Sequence, residues 1–218
     1  MNTRSSPSRE AGRAQFPFLC FLVAILEGFD LQVAGIAAPN LKAQFSLDPV
    51  TLGWFFSAST IGLFIGALAG GHLSDRIGRG ATLCWSVAAF GAASMLTGLA
   101  SGPAMLIATR FATGLGLGGA LPNLLAITSE AAIKGQERRA VALLYCGVPI
   151  GGILVSLLGA ARGSDWRTPF LAGGILPIIL AVTLWRTAPA ADGRADIHSG
   201  RDRVDASAIG AMTDPCLH

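Results

Sequence analysis

The feature that most restricts this chain is a short polar stretch, residues 71–80, set between two uncharged apolar runs, 52–71 and 81–100. The stretch carries glycine at 71, 78 and 80 and an Asp75-Arg76 pair at its centre. Each apolar run, taken as a helix rising 1.5 Å per residue, is about long enough to cross a ~30 Å hydrocarbon core. A tight basic turn between two spanning helices is retained on the cytoplasmic side. That one assignment sets the direction of every other helix.

The rest of the chain reads the same way. Residues 16–38 form an apolar run longer than the 7–15-residue core of a signal peptide and contain Glu27 and Asp30, so they are expected to be a retained first helix. Residues 39–50 follow as an external loop. The second and third spans are the runs 52–71 and 81–100, joined to a fourth span over 104–127 by the turn Ser101-Gly102-Pro103. A basic loop at 134–139 leads to a fifth span over 141–160, expected to bend at Pro149 because a proline inside a helix removes a hydrogen bond. Arg162, Asp165 and Arg167 mark an external loop before a sixth span over 168–185, which holds Pro177. Arg4, Arg9, Arg13, Arg76, Arg79, Lys134, Arg138 and Arg139 then fall inside, against Lys42, Arg162 and Arg167 outside.

Composition agrees with a chain that lives in lipid. Of its 218 residues 52% are hydrophobic and 13% charged, where a soluble domain carries about a quarter charged residues. No basic stripe with interleaved aromatics points to nucleic acid. Cys20, Cys84, Cys146 and Cys216 are scattered, with no pairing or clustering that suggests a disulfide framework or a metal site. The glycine-rich centre at 114–119 follows no strand and precedes no Lys-Ser/Thr, which excludes a phosphate-binding loop. No cofactor is implied, and no nucleophile–base constellation supports an enzyme. The segment 187–218 lacks apolar runs and aromatics, so it is expected to be a disordered tail.

Three ionisable residues lie inside spans: Glu27, Asp30 and Arg110. A charge at the bilayer centre costs on the order of 2.5–3.5 kcal/mol on insertion scales, so such residues face a cavity or a partner. Glu27 and Asp30, three apart, share one face of the first helix. Glu27 falls near the midplane, with Asp30 roughly 4–5 Å further out. Arg110 enters the fourth span from outside to a comparable depth. Two acids facing one base leave one acid unpaired and suited to carrying a proton, while the forked guanidinium suits an organic carboxylate. A purely structural ion pair between the two helices is the competing reading. Gly62, Gly66 and Gly70, at four-residue spacing, line one face of the second span for close helix packing.

The run Gly71-x-Leu73-x-Asp75-Arg76-x-Gly78-Arg79 resembles the loop between the second and third helices of major facilitator superfamily transporters, with Gly80 departing from that pattern. Arg110-x-x-x-Gly114 resembles the fourth-helix motif of the same superfamily. Gly147-Val148-Pro149-Ile150-Gly151-Gly152 resembles its fifth-helix element, with Val148 interrupting it. Glu27-Gly28-Phe29-Asp30 is similar to the Asp-Gly-Phe-Asp element of the aromatic acid:proton symporter family, with Glu in place of the first Asp. The likeness covers about residues 16–186 and stops near Arg186.

The resemblance implies an all-α integral membrane fold: the six-helix N-terminal bundle of a twelve-helix protein, built of two inverted three-helix repeats. It divides the chain into a cytoplasmic N-terminal segment (1–15), the bundle (16–186) and a cytoplasmic tail (187–218). It implies proton-coupled import of an aromatic carboxylate, of the hydroxyphenylpropionate kind, by alternating access. Glu27, Asp30 and Arg110 would bind substrate and proton, and Gly71, Asp75, Arg76, Gly78 and Arg79 would form a gating loop. The expected partners are the aromatic acid, protons and the bilayer, with no nucleic acid and no metal. A bacterial inner-membrane, multi-pass location with both termini cytoplasmic follows. With only six spans, a dependence on a second six-helix half is one expectation, and a truncated, non-transporting fragment is the other.

Overall fold

The computed structural model describes the backbone of residues 7–187 and the side chains of 18–186; the expected tail lies outside these apart from the backbone of residue 187, while the backbone of 7–15, expected to precede the first helix, is already part of it. Among the described residues there is only helix: α1 (Pro7–Phe45), α2 (Pro49–Ile77), α3 (Arg79–Gly98), α4 (Pro103–Ala131), α5 (Glu137–Tyr145), α6 (Gly147–Arg162) and α7 (Arg167–Thr187). Six segments are long and apolar enough to cross a membrane, α5 and α6 together making one of them. Large apolar side chains such as Phe64, Leu68, Trp85, Leu157 and Trp185 lie exposed on the outside of the bundle. That surface suits hydrocarbon and would be costly in water.

Several boundaries differ from those expected of the sequence. The first helix does not end at residue 38 but runs through Pro39 to Phe45. Its extra turns are held by tertiary partners: Leu41 is fully buried, Asn40 Nδ2 donates to the Gly163 carbonyl (3.2 Å), and Gln44 Oε1 accepts from Trp166 Nε1 (2.6 Å). The external loop 39–50 therefore shrinks to three residues. Asp48 then caps α2, accepting from Val50 N and Thr51 N, with Pro49 in the first turn, where its missing N–H costs nothing.

The polar stretch 71–80 is also mostly helix. Its glycines at 71 and 80 stay helical, and only Gly78, at φ 87°, breaks the chain and separates α2 from α3. That left-handed backbone favours glycine, and its N–H returns to the Ser74 carbonyl at 2.9 Å. Likewise the loop before the fifth span is only 132–136, because α4 continues to Ala131 and α5 starts at Glu137. The helix of that span is interrupted at Cys146, three residues before Pro149. Proline disrupts the helix at the carbonyl four residues earlier, here Tyr145, which is where α5 ends.

Packing is led by close backbone approach. On α2, Gly62, Gly66 and Gly70 are buried against α4, as expected from their spacing. A Cβ at Gly62 would strike the Phe111 carbonyl, and one at Gly114 or Gly118 would strike the Ser59 or Leu63 carbonyl. The fifth span lies on α1 in the same fashion, through Gly28 against Val148 and Gly151 against Ile25. α3 meets α7 at Gly91 and Gly174. Exchanging the first three spans with the last three maps the α1–fifth-span contact onto α4–α2 and leaves α3–α7 on itself. Because three is odd, the second triplet enters from the opposite side, so the repeats are inverted.

The buried apolar residues form two clusters at successive depths. One gathers Val23, Leu83, Phe90, Leu117, Leu124 and Leu184. The other gathers Phe29, Val33, Leu41, Phe55, Leu106 and Phe170. Along α1 Glu27 falls between the two clusters and Asp30 within the second, and along α4 Arg110 falls between Leu106 of the second and Leu117 of the first.

Candidate functional site

The charged layer is assembled from five of the six spans. Asp30 of α1 accepts from Arg110 NH1 of α4 at 3.0 Å and from Ser94 Oγ of α3 at 2.9 Å. Ser94 Oγ also lies 3.3 Å from the Phe170 carbonyl of α7. Arg110 NH2 donates to Ser59 Oγ of α2 at 3.3 Å. The guanidinium carbon stands 5.8 Å from the Phe55 ring centroid and 6.0 Å from that of Phe170. These rings shield the charge laterally and attract it through their faces.

Local sequence explains the reach. Arg110 lies one turn before Gly114, where α4 approaches the Ser59 carbonyl so closely that no side chain fits between. That approach brings Ser59 to the guanidinium. Thr109 and Thr113, the neighbours of Arg110 on α4, bond back to their own helix (Thr109 to Met105 O, 2.8 Å; Thr113 to Thr109 O, 2.9 Å), so they do not compete for Asp30.

Of the three residues singled out from the sequence, two meet and one stands apart. Asp30 and Arg110 form an ion pair whose side chains are 0% and 3% exposed. Glu27 is equally buried, but neither carboxyl oxygen has a hydrogen-bond partner among the described residues, and Arg110 Nε has none either. All three lie inside the bundle rather than on an open cavity wall. The open groove is elsewhere, between α1 and the fifth span; its volume is about 440 Å³ and it is lined by Gln32, Pro149, Gly152, Ile153, Ser156 and Leu157. Sequence reasoning missed Ser59, Ser94, Phe55 and Phe170. The sequence offers no sign that separates these serines, since Ser59 stands beside Ser57 and Thr60, and α3 carries Thr82, Ser86 and Thr97 besides Ser94.

Around the 71–80 stretch, Asp75, Arg76 and Arg79 are exposed, while Gly71 and Gly78 are half-buried. Arg79 pairs with Glu130 at the end of α4, tying the start of α3 to that helix. Gly71 offers its carbonyl to Ser74 Oγ at 2.7 Å. Among the described residues no group of His, Cys, Asp and Glu is placed to hold a metal ion.

Comparison with known proteins places the chain in a family. The profile of the Major Facilitator Superfamily matches residues 20–213. The chain belongs to that superfamily, and is a multi-pass membrane protein. It is 49% identical over 191 residues to the 3-(3-hydroxy-phenyl)propionate transporter of Escherichia coli K12, covering 87% of this chain and 47% of the relative. It is 36% identical over 170 residues to the 4-hydroxybenzoate transporter PcaK of Pseudomonas putida, covering 76% and 38%. The chain thus spans less than half the length of these relatives. The superfamily match extends to residue 213, past Arg186, near which the likeness read from the residues stops.

Among solved structures, the bundle superposes on an inward-facing bacterial homologue of the human lysosomal transporter Spinster (TM-score 0.72, 19% identity, 86% of this chain and 44% of that one). It also superposes on the partially occluded xylose transporter XylE of E. coli (TM-score 0.70, 20% identity, 82% and 49%). These similarities concern the fold.

Proposed function

We propose that this chain supplies the first six-helix half of an aromatic-carboxylate importer of the inner membrane, coupled to protons and working by alternating access. The observation that carries the reading is the Asp30–Arg110 pair, fully buried and flanked by two aromatic rings of one apolar cluster. With the acid ionised, the pair is neutral and Arg110 is occupied. A proton on Asp30 removes its charge and releases the guanidinium to bind the substrate carboxylate, and the site is neutral again. Proton without anion, or anion without proton, leaves a net charge in low dielectric, which is strongly disfavoured. That penalty is the coupling. Glu27, one turn away, is a second proton carrier. The names and identities of the relatives support the substrate class.

In this reading the 71–80 stretch and both termini are cytoplasmic, and Asp75 and Arg76 face the second half as a gate. A cysteine replacing Ser74 should be labelled from the cytoplasmic side; labelling only from outside overturns the orientation. Alternating access needs two bundles rocking about a shared site, so the six-span unit alone does not transport.

The test is accumulation of labelled 3-(3-hydroxyphenyl)propionate in proteoliposomes under an imposed pH gradient. The 218-residue chain alone should give none, and a twelve-span context should give saturable uptake that Asp30→Asn abolishes. Saturable uptake by the chain alone removes the half-transporter reading. The near-complete burial of Asp30 and Arg110 favours a second reading, a structural ion pair. Unchanged uptake in both Asp30→Asn and Arg110→Ala would select it.

A further inference from the structure

Glu27 is 1% exposed, and among the described residues its carboxyl oxygens meet no donor. It borders a void of about 10 Å³ shared with Leu121 and Leu125 of α4 and Tyr145 and Val148 of the fifth span. That volume is near the roughly 10–15 Å³ at which a cavity admits one water. The void lies where the fifth span is interrupted: α5 ends at Tyr145, and α6 begins at Gly147. Pro149 has no N–H to offer the Tyr145 carbonyl, so the helical bond expected at this point of the backbone cannot form. Gly28, beside Glu27, lets the Val148 backbone close against α1. Tyr145 is 49% exposed, so its side chain bridges the void and the outside of the bundle.

We propose that Glu27 exchanges its proton with water through this seam between α4 and the interrupted fifth span, with the Tyr145 side chain obstructing its mouth, and not by way of Asp30 and Arg110. The inference rests on the reading of Glu27 as a proton carrier. The step is balanced: hydronium protonates the carboxylate and leaves water, and the reverse releases the proton. Tyr145 is the other titratable side chain bordering the void. Asp30 lies a turn away on the same helix, and the Arg110 charge is turned to it. Cys20 and Cys84 belong to the apolar cluster that contains Val23.

The experiment is infrared spectroscopy of the full 218-residue chain in lipid nanodiscs, reading hydrogen–deuterium exchange of the Glu27 carboxyl, its band assigned by loss in Glu27→Gln. Leu125→Phe, which fills the seam, should slow exchange several-fold. Tyr145→Ala, at a half-exposed position that tolerates truncation, should speed it several-fold. Rates unchanged in both variants, slowing in Asp30→Asn instead, or no Glu27 band at any pH each overturn the proposal. Exchange through the seam without coupled uptake in a twelve-span context would remove the symport reading and leave the seam. Coupled uptake with silent seam variants would do the reverse.

Discussion

The two glycine-lined contacts of this bundle, α2 on α4 and α1 on the fifth span, are built alike and end differently. In both, missing side chains let one helix rest on the carbonyls of the next. α2 and α4 run unbroken through their contact, and the charged residue beside it, Arg110, finds partners on two other helices. The fifth span is interrupted at its contact, and the charged residue beside it, Glu27, is left next to a void. Close approach of backbones thus does not itself satisfy a buried charge. What matters is whether the neighbouring helices present a donor to the buried group, and beside Glu27 α4 presents Leu121, Leu124 and Leu125 instead.

The comparison is broken most severely by removing Asp30. Asp30→Asn keeps the size and the Ser94 hydrogen bond but leaves Arg110 buried without a counter-charge. We expect a loss of about 3–5 kcal/mol on unfolding in detergent, largely recovered when Arg110→Met is added. No recovery in the double variant would mean that packing, not charge, holds the site. Gly114→Ala attacks the continuous contact itself, because its Cβ would overlap the Ser59 carbonyl. The expected cost is about 1–3 kcal/mol, against a gain of roughly 0.5–1 kcal/mol for Gly35→Ala, whose Cβ meets nothing within 4 Å. Equal effects at the two positions would show that the α2–α4 approach is not tight.

Effects at the surface should be smaller. The Arg79–Glu130 pair joins exposed side chains, so Arg79→Ala should change stability by about 0–1 kcal/mol, read by the same unfolding measurement. The smallest effect concerns Asp48 and Asp165, which stand at helix starts outside the spans. A hydroxyl bond from Thr51 and one from Thr168, with backbone N–H bonds, hold these carboxyls below the usual carboxylate range. Because the folded state lowers these values, the capping contribution is present above the unfolded aspartate value and disappears as pH falls through the folded one. Amide exchange in the first turn of α2 should accelerate over that acid window, and Asp48→Asn, a cap that does not titrate, should abolish the acceleration.

Six spans, their depth in the chain and the helix face shared by Glu27 and Asp30 were legible in the sequence. Hydrocarbon thickness sets the length of each apolar run, and helical periodicity sets what shares a face. The Gly62-Gly66-Gly70 stripe was legible for the same reason, since four-residue spacing stays on one side of a helix wherever the helix is placed. The ends of the helices were not. Pro39 and Gly71 read as stops, yet Asn40 and Gln44 find partners at Gly163 and Trp166 and Leu41 is buried, which holds α1 together, and Gly71 stays helical while Gly78, at positive φ, separates α2 from α3. The choice between the two acids belonged to tertiary structure as well. Both lie on one face at nearly one depth, but Ser94 and Arg110 arrive from other helices at Asp30 alone, and a donor's position across a bundle is a property of helix packing that spacing along one helix does not contain.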